Sequence, residues 1–311
     1  MKSGRIALLA SEGLLLDGVL GVWHDLPWLK GYEPVLLSAV GADGDTAMFG
    51  NRPLMFRRAD ELEPASVDLL LVLESPLVAE SCRDWLLSLP CPVLGDWHSL
   101  AGLDPRHVSA AASAGVFAVP QAPATAVTAL FADADCESLT AVALLPVSVF
   151  GQAGVEELAA QTARLLNAQA VESRVFGQQI AFNCFPAAGI QAVIRDDLKR
   201  CYADADVQVS AIQLPVFHGV ALQLSVVCAE PVDAEAMVTA WQARGVQVSA
   251  DAGELSVMAA AREQGCIIAG PPQASTEDAY RLDVWLAFDD IQLYLRKSLL
   301  AAAEILLKHD L

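Results

Sequence analysis

A single glycine near the amino end is what remains of a turn that could hold a dinucleotide. Such a turn needs glycines where the backbone bends sharply and where it approaches the pyrophosphate. In residues 10–16 only Gly13 keeps the GxxGxxG spacing, and Glu12 places negative charge where a phosphate would bind. Asp43 and Asp45 stand after the second strand, where a basic residue would accept a 2′-phosphate. We therefore expect no cofactor, or NADP or NAD only as weak residual binding through Gly13, Ser38 and Ser75.

Nucleophilic and metal-binding side chains are scattered along the chain. The seven cysteines are odd in number and include no CxxC pair, which favours buried thiols in a reducing compartment over disulfides or a zinc site. The five histidines are equally dispersed. The sequence therefore predicts no metal site.

Short apolar strands alternate with helical segments in the first part of the chain. The strands are predicted at residues 5–9, 33–38, 68–73, 91–94 and 115–119, and the helical segments at 14–20 and 77–87. This alternation predicts βαβ units and a mainly parallel sheet of the Rossmann-like, NAD(P)-binding type. Right-handed crossovers would bring the carboxyl ends of the strands, and any ligand, to one edge.

The pattern changes after about residue 125. Longer strands are predicted at residues 139–148, 207–216, 221–228 and 282–288, with helices at 155–167, 233–243 and 291–308. Glu156 and Glu157, near the start of their helix, suit its dipole. The fold class predicted for the whole chain is α/β, with an α+β domain on a mixed or antiparallel sheet following the Rossmann-like domain.

The composition argues against several classes of function. Acidic residues outnumber basic ones by 38 to 19, and the net charge of −19 repels phosphate backbones and anionic lipid. We therefore expect no nucleic acid partner and no membrane association. Although 54% of the residues are hydrophobic, no apolar stretch approaches the roughly twenty residues of a membrane helix. The apolar run at the amino end is too short for a secretory signal, so a cytoplasmic protein is expected.

Four segments resemble motifs of the aspartate-semialdehyde dehydrogenase family, in family order and at family separations. Residues 180–183 (IAFN) resemble the family's IAFN strand, and residues 214–219 (LPVFHG) resemble its RVPVFHGHS segment. Residues 147–158 (VSVFGQAGVEEL) are similar to VSGAGxxGVEEL, and residues 295–298 (LRKS) to the start of LRKGAATN. The resemblance implies a homodimer with a split nucleotide domain, residues 1–124 with 290–311, around a dimerisation domain at 125–289.

The resemblance also implies a reaction, the reductive dephosphorylation of an acyl phosphate to an aldehyde. In that family a cysteine thiolate attacks the acyl carbon, a histidine handles the proton and NADPH delivers hydride to the thioester. A glutamine positions the intermediate, and an arginine holds the substrate carboxylate. Carried over motif by motif, these positions fall on Ala122 (nucleophile), Leu145 (glutamine), Gln213 (arginine) and Val220 (histidine).

The closing motif departs from the family as well, with Ser298 in place of its glycine and Ala302 in place of its asparagine. The chain is similar in these losses to a degenerate, Usg-type branch of the family. Core residues beside the motifs are kept while the chemical positions are not. The interpretation is that the fold was retained without the chemistry.

Two residues are candidates for a rescued activity. His218 lies two positions before Val220, and on a regular strand such positions share a face, so it would reach the cleft used by the family histidine. Cys184, which follows the IAFN segment, is the only thiol inside a recognisable motif. The alternatives are a packing or hydrogen-bonded histidine and a buried cysteine acting as a small hydrophobe.

Three functions remain open at this stage. The first is a catalytically inactive homodimer that binds or scaffolds an unknown protein or small-molecule partner. The second is an active NAD(P)-dependent oxidoreductase that acts on the aldehyde or oxo group of an unknown substrate. The third is a sensor with a vestigial pocket, which would require that leucines such as Leu15 and Leu16 leave the old cleft open. All three share one fold, and a fold alone does not establish function.

Overall fold

The computed structural model describes residues 4–39, 45–108, 115–262 and 266–309. The chain divides into two compact units, Met1–Pro120 with Leu295–Leu311 and Gln121–Tyr294. In the described ranges, no helix has both the length and the apolar character needed to cross a membrane. Within the same ranges, no three His, Cys, Asp or Glu side chains gather as metal ligands.

The first unit is built on a seven-stranded sheet in which every neighbouring pair is parallel. The strands of the unit, including a separate hairpin formed by β3 and β4, are β1 (Gly4–Leu9), β2 (Tyr32–Ser38), β3 (Thr46–Phe49), β4 (Arg52–Met55), β5 (Arg57–Arg58), β6 (Leu69–Val72), β7 (Pro92–Asp96), β8 (Arg106–His107) and β9 (Gly115–Val119). The sheet order is β5-β2-β1-β6-β7-β9-β8. Its helices are α1 (Leu14–Val22), α2 (Pro76–Ser81) and α3 (Arg83–Ser88).

The central strands of this sheet are buried on both faces. All four residues of β6 are buried, as are the last four of β1. Continuous leucine-rich runs of this kind are typical of parallel strands covered on both sides. Because every strand points the same way, the carboxyl ends of β1, β2 and β6 lie together at one edge. The residues that follow these ends in sequence are the ones that could contact a nucleotide.

The second unit is built on a mixed eight-stranded sheet. Its strands are β10 (Cys136–Leu145), β11 (Phe185–Pro186), β12 (Asp206–Gln213), β13 (Val220–Cys228), β14 (Gln247–Val248), β15 (Ile267–Ala269), β16 (Gln273–Ala274) and β17 (Arg281–Phe288). They run in the order β11-β12-β10-β13-β17-β15-β14, with β16 on β17. The helices are α4 (Ala122–Phe131), α5 (Gly151–Leu166), α6 (Ala188–Cys201), α7 (Ala234–Ala243) and α8 (Val257–Arg262), and α9 (Asp290–His309) ends the chain.

The two faces of this second sheet differ in burial. Along β10, residues 139, 141, 143 and 145 are buried, whereas residues 138, 140, 142 and 144 are partly or fully exposed. The same alternation continues on β12 and β13. We call the second side of the central strands the open face, which includes Thr140, Val142 and Leu144 of β10 with Ser210 and Ile212 of β12.

The predicted fold class, a Rossmann-like parallel-sheet domain followed by an α+β domain, is confirmed. Two predicted strands end earlier than the sequence indicated, because β10 stops at Leu145 rather than at residue 148 and β12 at Gln213 rather than at residue 216. Pro146 follows the first of these and Pro215 the second. Proline lacks the N–H that a central strand needs, so both strands stop there.

Candidate functional site

Gly13 holds the turn between β1 and α1 in a conformation that only glycine adopts easily. Its φ of 151° and ψ of −172° lie in a region that costs other residues about 1–3 kcal/mol. Nothing lies within 4 Å of the place where a Cβ would stand, so strain and not crowding selects glycine. This turn therefore keeps one backbone feature of a phosphate cradle.

The side chains around that turn are acidic. The Ser11 hydroxyl donates a hydrogen bond of 2.6 Å to the Glu74 carboxylate, and the Glu12 side chain is exposed beside it. Carboxylates at this edge offset the positive potential at the start of α1 and repel a phosphate. Asp43 lies outside the described residues.

Ser38 and Ser75, the other two residues considered for the cofactor, lie at the same carboxyl edge. Ser38 is the half-buried last residue of β2. Ser75 is exposed and precedes α2, and its hydroxyl makes no capping hydrogen bond. Leu16 is 1% exposed and belongs to the core, while Leu15 is half-buried.

A pair of arginines stands at this edge that the sequence interpretation overlooked. In β5, Arg57 pairs with Leu37 and Arg58 with Ser38, so both exposed arginines flank the end of β2. Arg58 is held in a two-bond ion pair by Asp60, at 2.9 and 2.6 Å. Both arginines lie outside the segment just after β2, where a basic residue was expected. A short parallel strand twenty residues further on gives little periodic signal.

The second unit places three of the chemical positions at one edge of its sheet. Leu145 ends β10 and pairs with Gln213, which ends the parallel strand β12. Val220 begins the antiparallel strand β13, whose residues 221 and 222 pair with the end of β10. All three side chains are at most 1% exposed. The structure therefore brings these positions together, but as packed core and not as exposed catalytic groups.

The buried side chain of Gln213 forms hydrogen bonds with the backbone at these strand ends. Its Nε2 donates to the backbone oxygens of Leu145, at 3.1 Å, and of Leu214, at 3.3 Å. Its Oε1 is buried without a hydrogen-bond partner. The amide side chain therefore ties two strand ends together, and it carries no charge with which to hold a substrate carboxylate.

Ala122 is the first residue of α4 and is 3% exposed. Just before it, the backbone N–H of Gln121 donates a 2.9 Å hydrogen bond to the carboxylate of Asp197 on α6. Asp197 is 3% exposed, so the start of α4 already receives a buried negative group from within the chain. The methyl group of Ala122 cannot attack an acyl carbon.

Asp290 adds a titratable group near the same edge. It begins α9, two residues after Phe288, which pairs with Val220. Burial and then the charge of Asp289 raise the pKa of Asp290 to about 6, against hydrogen bonds from backbone N–H groups that include that of Gly219. Its Oδ1 and the Ser148 hydroxyl are both buried without a partner.

The family can be identified once this geometry is known. Residues 127–291 match the semialdehyde dehydrogenase dimerisation domain. The chain belongs to the semialdehyde dehydrogenase family. The USG-1 protein homolog of Pseudomonas aeruginosa is 33% identical over 194 residues, a match that spans 58% of this chain and 58% of that relative. Aspartate-semialdehyde dehydrogenase 2 of Vibrio cholerae is 27% identical over 52% of each chain.

Solved structures of this family extend the likeness to the whole fold. A structure described as a probable aspartate-semialdehyde dehydrogenase from Pseudomonas aeruginosa superimposes with a TM-score of 0.87 at 26% identity, covering 100% of both chains. That of aspartate semialdehyde dehydrogenase II from Vibrio cholerae gives a TM-score of 0.86 at 19% identity, covering 99% of this chain and 100% of the other. The predicted relationship to the aspartate-semialdehyde dehydrogenases and to a Usg-like branch is therefore confirmed.

The structure corrects the argument made for His218. That histidine does not lie on a strand, because β13 begins only at Val220 and His218 occupies the preceding bend. Gly219, with a φ of 87°, turns the chain between them. His218 is exposed while Val220 is fully buried. His218 and Val220 therefore do not share a strand face, and the prediction that they do is wrong.

The IAFN segment of this family member is also not a strand. Residues 181 and 182 form a turn, and Phe182 has a φ of 60° with 69% of its side chain exposed. Cys184 follows this turn and is exposed, so it is not the buried strand cysteine of the alternative interpretation. Its backbone N–H is held by the side chain of Asn183 at 2.9 Å.

Two side chains of α5 hold the loop that carries this turn. The Glu157 carboxylate accepts hydrogen bonds from three consecutive backbone N–H groups, residues 174–176, at 2.6 to 3.4 Å, and one from the Ser173 hydroxyl. Burial alone would raise the pKa of Glu157, but these four donors hold it below its ordinary value. The Gln161 Oε1 accepts from Ile180 at 2.8 Å and from Ala181 at 3.2 Å. Because α5 begins at Gly151, Glu157 acts here as a loop anchor and not as a helix-start charge.

Proposed function

We propose that this chain is a non-catalytic, homodimeric member of the semialdehyde dehydrogenase family, with a binding or scaffolding role for an unknown protein or small molecule. The observation that carries the proposal is Ala122 at the start of α4, the position where the family resemblance requires a thiolate. A methyl group forms no thioester, and hydride transfer then has no acceptor. Leu145 and Val220 are packed core residues that support the same proposal.

The nucleotide edge of the first unit supports loss of cofactor binding. Gly13 keeps a turn conformation that suits a phosphate cradle, but the nearby side chains of Glu12 and Glu74 are acidic. Arg57 favours the alternative, an NAD(P)-dependent oxidoreductase, because it supplies positive charge near Ser38, whereas the charge of Arg58 is already paired with Asp60. Titration with nicotinamide cofactors distinguishes the two, since a protein without a usable site shows no saturable change in stability.

The open face supports the homodimer. In the matched dimerisation domain, Val142, Leu144 and Ile212 leave apolar side chains partly exposed on one side of the sheet. Apolar surface of this kind is stabilised when a second copy covers it. The proposal places the two-fold interface on this face.

Val142→Arg is expected to separate the dimer without unfolding the chain. An arginine at the centre of the open face would bury an unpaired charge on association, and it stays solvated in a monomer. Analytical ultracentrifugation should show two chains for the wild type and one for Val142→Arg. Thr239→Arg, an exposed change on α7, is the matched control and should remain a dimer. A monomeric wild type, or a dimeric Val142→Arg, would contradict the assignment.

A further inference from the structure

Two of the chain's cysteines face each other across neighbouring strands of the second sheet. Cys136, at the start of β10, pairs with Cys228, at the end of the antiparallel strand β13. One residue outside the pair, the backbone N–H of Ala229 donates a 2.8 Å hydrogen bond to the backbone oxygen of Asp135. This pattern marks a non-hydrogen-bonded pair, in which the Cα atoms of an antiparallel ladder are closest, about 4.5 Å apart.

Both thiols point to the same, covered side of the sheet. The ladder shifts register between Cys136 and Ser138, so Glu137 is the extra residue of a bulge. The bulge turns Cys136 to the side where Leu139 is buried, and Cys136 and Cys228 are each 6% exposed. The Cα separation typical of such pairs, about 4.5 Å, lies within the range of roughly 4.4 to 6.8 Å that a disulfide spans.

We propose that Cys136 and Cys228 form an intramolecular disulfide on exposure to a peroxide, giving the dimerisation domain a redox-dependent clamp. One sulfur attacks the peroxide, forming an S–O bond as the O–O bond breaks and water leaves. The second sulfur then attacks the sulfenic acid, forming the S–S bond and releasing a second water. Each sulfur loses one electron and the peroxide gains two, so two thiols and H₂O₂ give one disulfide and two waters.

The surroundings decide how readily this happens. Burial, then the neighbouring Cys228 thiol and the Asp135 carboxylate, raise the pKa of Cys136 to about 12. Burial also raises the pKa of Cys228. Since the thiolate is the reactive form, the pair stays reduced in brief contact with oxidant at neutral pH and reacts faster at alkaline pH. Cys136 begins β10, whereas Leu145 of the candidate site ends it. The clamp therefore acts on the stability of the sheet and not on the candidate site.

The test is to oxidise the folded, full-length protein with H₂O₂ at pH 9 and map its disulfides by mass spectrometry after blocking free thiols. We expect a loss of 2 Da per link, a peptide joining Cys136 to Cys228, and a thermal midpoint higher by roughly 5 °C. Cys228→Ala should lack both the link and the midpoint shift. Cys91→Ala is the matched control, because burial also raises the pKa of that thiol, to about 11, and it should behave as wild type.

The mapping on the unmutated protein keeps the test independent of any folding defect in Cys228→Ala. Separate alkylation of Cys136 and Cys228 after exhaustive oxidation would overturn the proposal. So would a link from Cys136 to Cys201, since both of these thiols lie close enough to Tyr202 to affect its pKa. These outcomes leave the proposed non-catalytic role untouched, since they concern the opposite end of the sheet.

Discussion

Gln161→Leu is expected to lower the free energy of unfolding by roughly 3 kcal/mol, because it leaves buried backbone amides without an acceptor. The Gln161 side chain is 1% exposed and accepts hydrogen bonds from the N–H groups of Ile180 and Ala181. Its Nε2 donates to the backbone oxygen of Glu172 at 3.0 Å. Leucine has a similar volume, so the loss is one of hydrogen bonds and not of packing.

Urea denaturation checks this expectation, with hydrogen exchange of residues 180 and 181 as the local readout. Gln152→Leu is the matched control, since it makes the same chemical change at an exposed position of α5 and should alter stability by less than about 0.5 kcal/mol. If Gln161→Leu and Gln152→Leu behaved alike, Gln161 would not be the anchor of the loop.

Asp290→Asn is expected to stabilise the protein above pH 6 by up to roughly 3 kcal/mol. Because burial raises the pKa of Asp290 to about 6 from an ordinary 3.8, the folded state binds this proton more tightly than the unfolded state does. The stabilising contribution is therefore fully present below pH 3.8 and is lost as the pH rises through 6. Asparagine resembles the protonated acid, keeps an oxygen for the N–H of Gly219 and does not ionise.

The measurement is the difference in unfolding free energy between Asp290→Asn and wild type from pH 4 to pH 8. That difference should be close to zero at pH 4 and should grow until about pH 6.5. Glu230→Gln, an exposed acid in the same unit, should give a flat difference. A flat difference for Asp290→Asn would mean that the carboxyl is solvated and titrates normally.

The strands that position the site could be predicted because their signal is local. Leucine runs such as β6 and alternating segments such as β10 carry their burial in their own residues. The ends at Pro146 and Pro215 were also readable, since proline removes a backbone donor. The predictions that these strands run on to residues 148 and 216 were therefore avoidable, because the prolines that end them are visible in the sequence.

The roles of Glu157, Gln161 and Arg57 depend on contacts between distant parts of the chain. Glu157 binds residues 17 to 19 positions further on, and no helical or strand period relates such positions. The left-handed conformation of Phe182 similarly depends on the anchored loop. This conformation is strained for a phenylalanine, and nothing in the local sequence predicts it. Motif likeness alone led to the wrong prediction of a strand at residues 180–183.

The measurement that most directly tests the loss of catalytic machinery is titration of the purified protein with NADP(H) and NAD(H), followed by thermal midpoint and nicotinamide fluorescence. A cofactor at 100 times its Kd would stabilise the folded state by about 2.7 kcal/mol. We expect no saturable shift at millimolar cofactor, and the same flat response from Arg57→Ala. A saturable shift with a change in fluorescence, weakened by Arg57→Ala, would contradict the non-catalytic assignment and favour an active oxidoreductase.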